Sequence, residues 1–121
     1  MSFASKHNKG SKFDIFLDGI DDFHFKTMKE MVDENGYETV YQIAALYINT
    51  KGIYDDHPVV VIPEYKALVD LPPHMTKEVK EIISDDEDCE AINNGLVGIK
   101  FEEYVSKKHN RKCIGVKWLD L

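Results

Sequence analysis

The sequence predicts a small α+β domain, with an antiparallel or mixed sheet of four to five strands packed on one face by about three helices. Three observations carry this. A length of 121 residues with 43% apolar content fits one ordinary domain, and 31% charged residues give it a well-solvated exterior. Stretches with strand alternation and stretches with helical spacing follow one another as β–α–α–β–β–α–β–β, without a repeating βαβ unit. Gly, Asn-Gly and Pro-Pro steps fall at the ends of these stretches, and no repeat, linker or low-complexity segment divides the chain. Residues 1–11 read as a flexible basic arm, and 12–121 as one domain ending in a β-hairpin.

The elements follow in order. Residues 12–18 (KFDIFLD) place Phe13, Ile15 and Leu17 on one face, which predicts a strand. Asp21 reads as a helix N-cap with Asp22 in the first turn and Ile20 stapling against Phe25. That helix runs to Glu34 with Phe25, Met28, Met31 and Val32 inward, and Asn35-Gly36 stops it. Residues 38–49 (ETVYQIAALYIN) are apolar nearly all round and predict a buried helix closing near Gly52; their β-branched content keeps a strand as the alternative. Residues 58–62 (PVVVI) are a strand, and Pro63 turns the chain into a second one over 65–70.

Pro72-Pro73 ends that strand and leads into a helix over 75–83, with Thr76 as N-cap. Ser84-Asp85-Asp86-Glu87 has a capping-box pattern and opens a second helical piece to Asn93, closed at Gly95. Residues 96–105 and 112–119 are two strands joined by a turn over 107–111. Val97, Ile99 and Phe101 alternate inward on one, and Ile114, Val116 and Trp118 on the other.

Charge is unevenly placed. Residues 1–12 carry Lys6, Lys9 and Lys12 and no acid, hence +3. Residues 106–121 carry Lys107, Lys108, Arg111, Lys112 and Lys117 against Asp120, hence +4. The net charge of −7 therefore hides a body at −14. A bipolar field of this kind bears on partners, not on fold.

Several function classes lose support. No stretch approaches the ~20 apolar residues of a membrane span, and the polar start lacks the apolar middle of a secretory signal. Cys89 and Cys113 are isolated, which suits a cytoplasmic location with reduced thiols; a disulfide would need the fold to bring them together. His7, His24, His57, His74 and His109 show no metal-ligand spacing. No nucleophile elbow, phosphate loop or dinucleotide fingerprint is present, and the acid pairs Asp21/Asp22, Asp55/Asp56 and Glu102/Glu103 are merely adjacent. The expectation is a protein without catalytic residues, metal or cofactor.

Two surfaces remain. Asp85, Asp86, Glu87, Asp88 and Glu90 form an acidic run that suits docking on a basic partner, although acids also crowd first helical turns to meet the macrodipole. Lys107, Lys108, His109, Arg111 and Lys112 form a basic turn near Tyr104 and Trp118, a combination that suits single-stranded nucleic acid; lysines on a terminal hairpin also guard an edge against pairing. The two predicted helices around Asn35-Gly36 do not make a DNA-reading helix-turn-helix, because the second would present Tyr, Ile, Ala and Leu to the groove. Its tyrosines, Tyr37, Tyr41 and Tyr47, would suit a protein interface.

The leading expectation is a small acidic protein that docks on a partner protein as an inhibitor or regulator, of anti-defence or immunity type. The composition is generically like that of phage and mobile-element accessory proteins, with no motif behind the likeness. The alternatives are a single-strand-binding accessory protein using the 107–112 turn and the arm, and an assembly subunit of a phage particle.

Overall fold

A run apolar at every position makes a stable strand only when both its faces are covered. The computed structural model of the chain, which describes residues 13–15, 19–49, 56–108 and 110–121, covers the PVVVI run in this way. Val59, Val60, Val61 and Ile62 are all fully buried. The elements are β1 (His24–Thr27), α1 (Met28–Asn35), β2 (Tyr41–Gln42), β3 (Ala45–Asn49), β4 (His57–Ile62), β5 (Ala67–Asp70), α2 (Thr76–Ser84), α3 (Asp86–Asn93), β6 (Val97–Ser106) and β7 (Arg111–Asp120). Short 3-10 turns lie at Pro63–Tyr65 and Pro73–Met75.

The class is α+β. The described strands divide between a four-stranded sheet, in the order β1-β5-β4-β3, and a three-stranded one, β2-β6-β7. Among the described residues only β1 and β5 run parallel; every other described pair is antiparallel. The core lies between the sheets: Tyr41 from the smaller one is fully buried, its ring 5.5 Å from that of Phe101 and 5.4 Å from Tyr65.

The chain departs from the sequence expectation in five places. Residues 12–18 are not a strand where they are described. Phe13 is buried, the Asp14 amide donates to Asn93 Oδ1 at 2.9 Å, and Gly19 N donates to Ile15 O at 3.1 Å. Residues 12 and 16–18 lie outside the described residues, as does the arm at 1–11.

Asp21 caps no helix. His24–Thr27 is a strand because β5 supplies a parallel partner, with Phe25 opposite Leu68, and Phe25 is exposed instead of facing inward. The cap is Thr27: its hydroxyl accepts from the Glu30 amide at 3.1 Å while the Glu30 carboxylate accepts from the Thr27 amide at 3.0 Å. Gly36, at φ +86°, stops α1 as expected.

Residues 38–49 are not a helix. They form β2 and β3, which belong to different sheets, and the crossing falls at Ile43-Ala44. There Ile43 N donates to Val97 O at 3.1 Å in the smaller sheet, and Ala44 N donates to Val61 O at 2.9 Å in the larger. The apolar run covers almost every direction because it serves two sheets in succession, and its aromatic and β-branched content suits both.

Two caps shift by one residue. Thr76 is the first residue of α2, not its cap, and its hydroxyl donates to Asp56 O at 3.4 Å. Ser84 closes α2 by donating to Lys80 O at 2.9 Å, and Asp85 caps α3.

Candidate functional site

The acidic run is built around the junction of two helices. Asp85 sits in extended backbone between them, its amide donating to Ile82 O at 3.1 Å and its carboxylate accepting from Asp88 N at 3.0 Å. Asp86, Glu87 and Asp88 fill the first turn of α3, where the amide ends of the helix favour negative charge. All three, with Asp85 and Glu90, are exposed. Cys89, set among them in sequence, is buried and directs its thiol to the carbonyls of Ile82 and Ile83 at 3.7 and 3.3 Å. Both cysteines are free thiols.

Beside this helix lies a cleft of about 250 Å³ between α2, α3 and the end of β7. Its apolar lining includes Ile82, Ile92, Val97 and Trp118, and two exposed carboxylates, Asp88 and Asp120, share it. The Trp118 indole N–H donates to Glu78 Oε1 at 3.0 Å, tying β7 to α2. Sequence alone places Asp88 in a solvated helix. It does not show that Asp88 shares a cleft with Asp120 and an apolar floor, because that needs three elements to converge.

The basic turn lies at the far end of the β6–β7 hairpin. Lys107, Lys108, Arg111 and Lys112 are exposed, and Asn110 takes a left-handed conformation at φ +47°. Lys112 Nζ stands 3.7 Å from a Glu103 oxygen. His109 lies outside the described residues. Tyr104, 45% exposed, lays its ring over Gly115, where a Cβ would meet Tyr104 Cδ1 at 3.1 Å. Trp118 is not part of this cluster: it pairs with Ile99, seven residues along β7 from Arg111 and thus ~23 Å away.

The tyrosines separate as well. Tyr41 is a core residue whose hydroxyl reaches Met31 O at 3.4 Å, so it anchors no interface. Tyr37 and Tyr47 are half-buried. Burial, and after it the charge of Asp70, pushes the Tyr47 phenol above its ordinary value.

A histidine–carboxylate pair joins them. His57 Nε2 lies 2.9 Å from Asp70 Oδ1, and Tyr47, Val59 and Asp70 form one cross-strand row. Taken singly, His57 reads as a loop residue. Only the β4–β5 register brings the two groups together. Among the described residues no three or more His, Cys, Asp or Glu side chains gather as metal ligands. Likewise, no helix there is long and apolar enough to cross a membrane. No protein-family model, curated protein or solved structure matches the chain.

Proposed function

We propose that the protein is a small, acidic, non-catalytic binding protein of the cytoplasm that docks on a basic surface of a partner protein as an inhibitor or regulator, in the manner of anti-defence or immunity proteins. The cleft beside α3 carries this reading. An apolar floor that includes Trp118, shared by Asp88 and Asp120, suits a lysine or arginine side chain. The aliphatic stem would lie against Ile82, Ile92 and Val97 while the cation meets carboxylate. Asp86, Glu87 and Glu90 extend the negative field around it, which speeds encounter and rejects acidic surfaces.

The test keeps Asp85, because its carboxylate caps α3. Proteins retained from the native host by the immobilised parent chain are compared with those retained by a variant carrying Asp86→Asn, Glu87→Gln, Asp88→Asn and Glu90→Gln. The parent holds a partner at low salt and loses it at high salt, and the variant loses it at both. Equal retention by the two chains sinks the acidic-face reading. Trp118, the single tryptophan, gives a second readout: its fluorescence changes when an arginine-rich peptide enters the cleft.

A second reading rests on the exposed lysines and Arg111 at the hairpin tip, with Tyr104 beside them. It is single-strand nucleic-acid binding, with the cations tracking phosphates and the free ring face stacking on a base. Retention of oligo-dT at low salt with a steep salt slope supports it, and no retention rules it out.

A further inference from the structure

We propose that β7 is a self-complementary edge through which two copies of this chain join, antiparallel, with Val116 on the two-fold axis. Among the described residues β7 bonds to β6 on one side and to no strand on the other. Its ten residues pair with β6 without a bulge and contain no proline, so the outer edge is a regular row of amide and carbonyl groups. Native edges of this length are usually blunted, and the devices on β7 that would do so are Lys112 and Lys117.

Those lysines become partners in one register. A two-fold axis normal to a sheet keeps each residue on its own face, so opposing residues must be an even number of positions apart. Centring on Lys117 stacks two ammonium groups on the axis, and centring on Ile114 sets Arg111 against Lys117. Centring on Gly115 sets Lys112 against Trp118 and forms no ion pair. Centring on Val116 sets Lys112 against Asp120 twice, Ile114 against Trp118 twice, and Val116 against itself.

Both faces agree with that register. Ile114, Val116 and Trp118 share a face with the buried Ile99 and Phe101, so pairing would continue the core row into the second copy. On the opposite face Lys117 lies across from Lys100 in its own chain, a like-charge pair. The Val116 register puts Lys117 opposite Gly115 of the second copy, beside the Tyr104 ring and the Glu102 carbonyl oxygen that flank that glycine. Both groups favour an ammonium. Trp118 and Asp120 belong to the cleft beside α3 as well as to this contact, whereas Asp86, Glu87, Asp88 and Glu90 do not, so Lys112 tests the dimer and the α3 acids test the docking reading.

Sedimentation of the full chain over a wide concentration range provides the test. The parent shows a monomer–dimer equilibrium. Lys112→Asp and Asp120→Lys each weaken dimerisation roughly tenfold by setting like charges opposite. The double swap restores most of that loss, a rescue that a mere folding defect would not show. Under mild oxidation a chain carrying Cys113→Ser and Val116→Cys forms a disulfide dimer. The parent does not, because its two Cys113 residues would lie ~20 Å apart along the strands. A parent that stays monomeric throughout, a double swap without rescue, or ready crosslinking through Cys113 each overturns the proposal.

Discussion

The centre of the larger sheet and the far half of the β6–β7 hairpin use the same hydrogen-bond ladder and differ in almost everything else. In β4 every residue from Pro58 to Ile62 is buried, with β3 on one side and β5 on the other. In the hairpin, Ile99 and Phe101 are fully buried, whereas Glu102, Glu103, Tyr104 and Val105 are all exposed. Beyond the short pairing with β2 at Gly98 and Ile99, that half is a two-stranded ribbon. Such ribbons are marginal alone in water, so its order depends on the anchored half. Burial places the stability of this fold in the larger sheet and the base of the hairpin, and leaves the distal ribbon available for contacts.

The largest expected effect lies within one strand. Phe101→Ala removes a buried ring that touches Tyr41, and should cost about 3–5 kcal/mol in chemical denaturation. Val105→Ala, four residues on and 59% exposed, should stay within about 0.5 kcal/mol. Comparable losses at the two positions would break the contrast between base and tip. Ile62→Ala, at the end of β4, belongs with Phe101 and should cost about 2–5 kcal/mol.

Caps come next. Thr27→Ala removes one side of a reciprocal box and Asp85→Ala removes the carboxylate at the α2–α3 junction; each should cost about 1 kcal/mol. Ser84→Ala should cost less, since the Ser84 hydroxyl bonds back into α2 instead of capping α3. If Ser84→Ala proves the costlier of the two changes at this junction, the cap belongs to Ser84 after all.

How much of this was legible follows the range of the interactions. The PVVVI strand, the two helices around Asp85 and the terminal hairpin are visible because their signals are local: apolar run, proline, acid-rich first turn, alternation. The helix drawn from Asp21 fails because two start signals compete. Asp21-Asp22 looks like a cap, but Thr27 with Glu30 is the box that forms, and His24–Thr27 becomes a strand only through β5, much later in the chain. Residues 38–49 have helical length because two strands lie end to end, and the break at Ile43-Ala44 is fixed by hydrogen bonds to Val97 and Val61. The acids of the candidate site are readable one by one. The cleft that joins Asp88 to Asp120 is not, nor is the His57–Asp70 pair, since each needs a register between distant segments.

Alkaline titration sharpens the buried side of the comparison. Burial first raises the phenols of Tyr41 and Tyr47 above 10.0, so both stay neutral in the folded state at pH values where an unfolded tyrosine ionises. The resulting stability is present below the ordinary value and is lost as the pH rises through the raised one. Tyr47→Phe should therefore flatten the fall in thermal midpoint above pH 10. An unaltered alkaline slope would place Tyr47 in water.

The smallest effect should come from charge pairs on the surface, even where they join elements of the larger sheet. Lys66 Nζ bonds Asp22 Oδ2 at 2.6 Å, and both side chains are more than half exposed. That hydrogen bond, more than the charge itself, holds the Asp22 carboxyl below its ordinary 3.8. A lowered acid contributes stability above its ordinary value and loses it as the pH falls through the lowered one. Asp22→Asn should thus differ most from the parent above about pH 4, with the two denaturation curves converging as the pH falls through the lowered value. Added salt should narrow the gap, because water and counter-ions screen an exposed pair. A gap that persists in high salt would mean that the loop before β1 is held by charge as firmly as β4 is held by burial, and the contrast between buried and exposed parts of this fold would lose its physical basis.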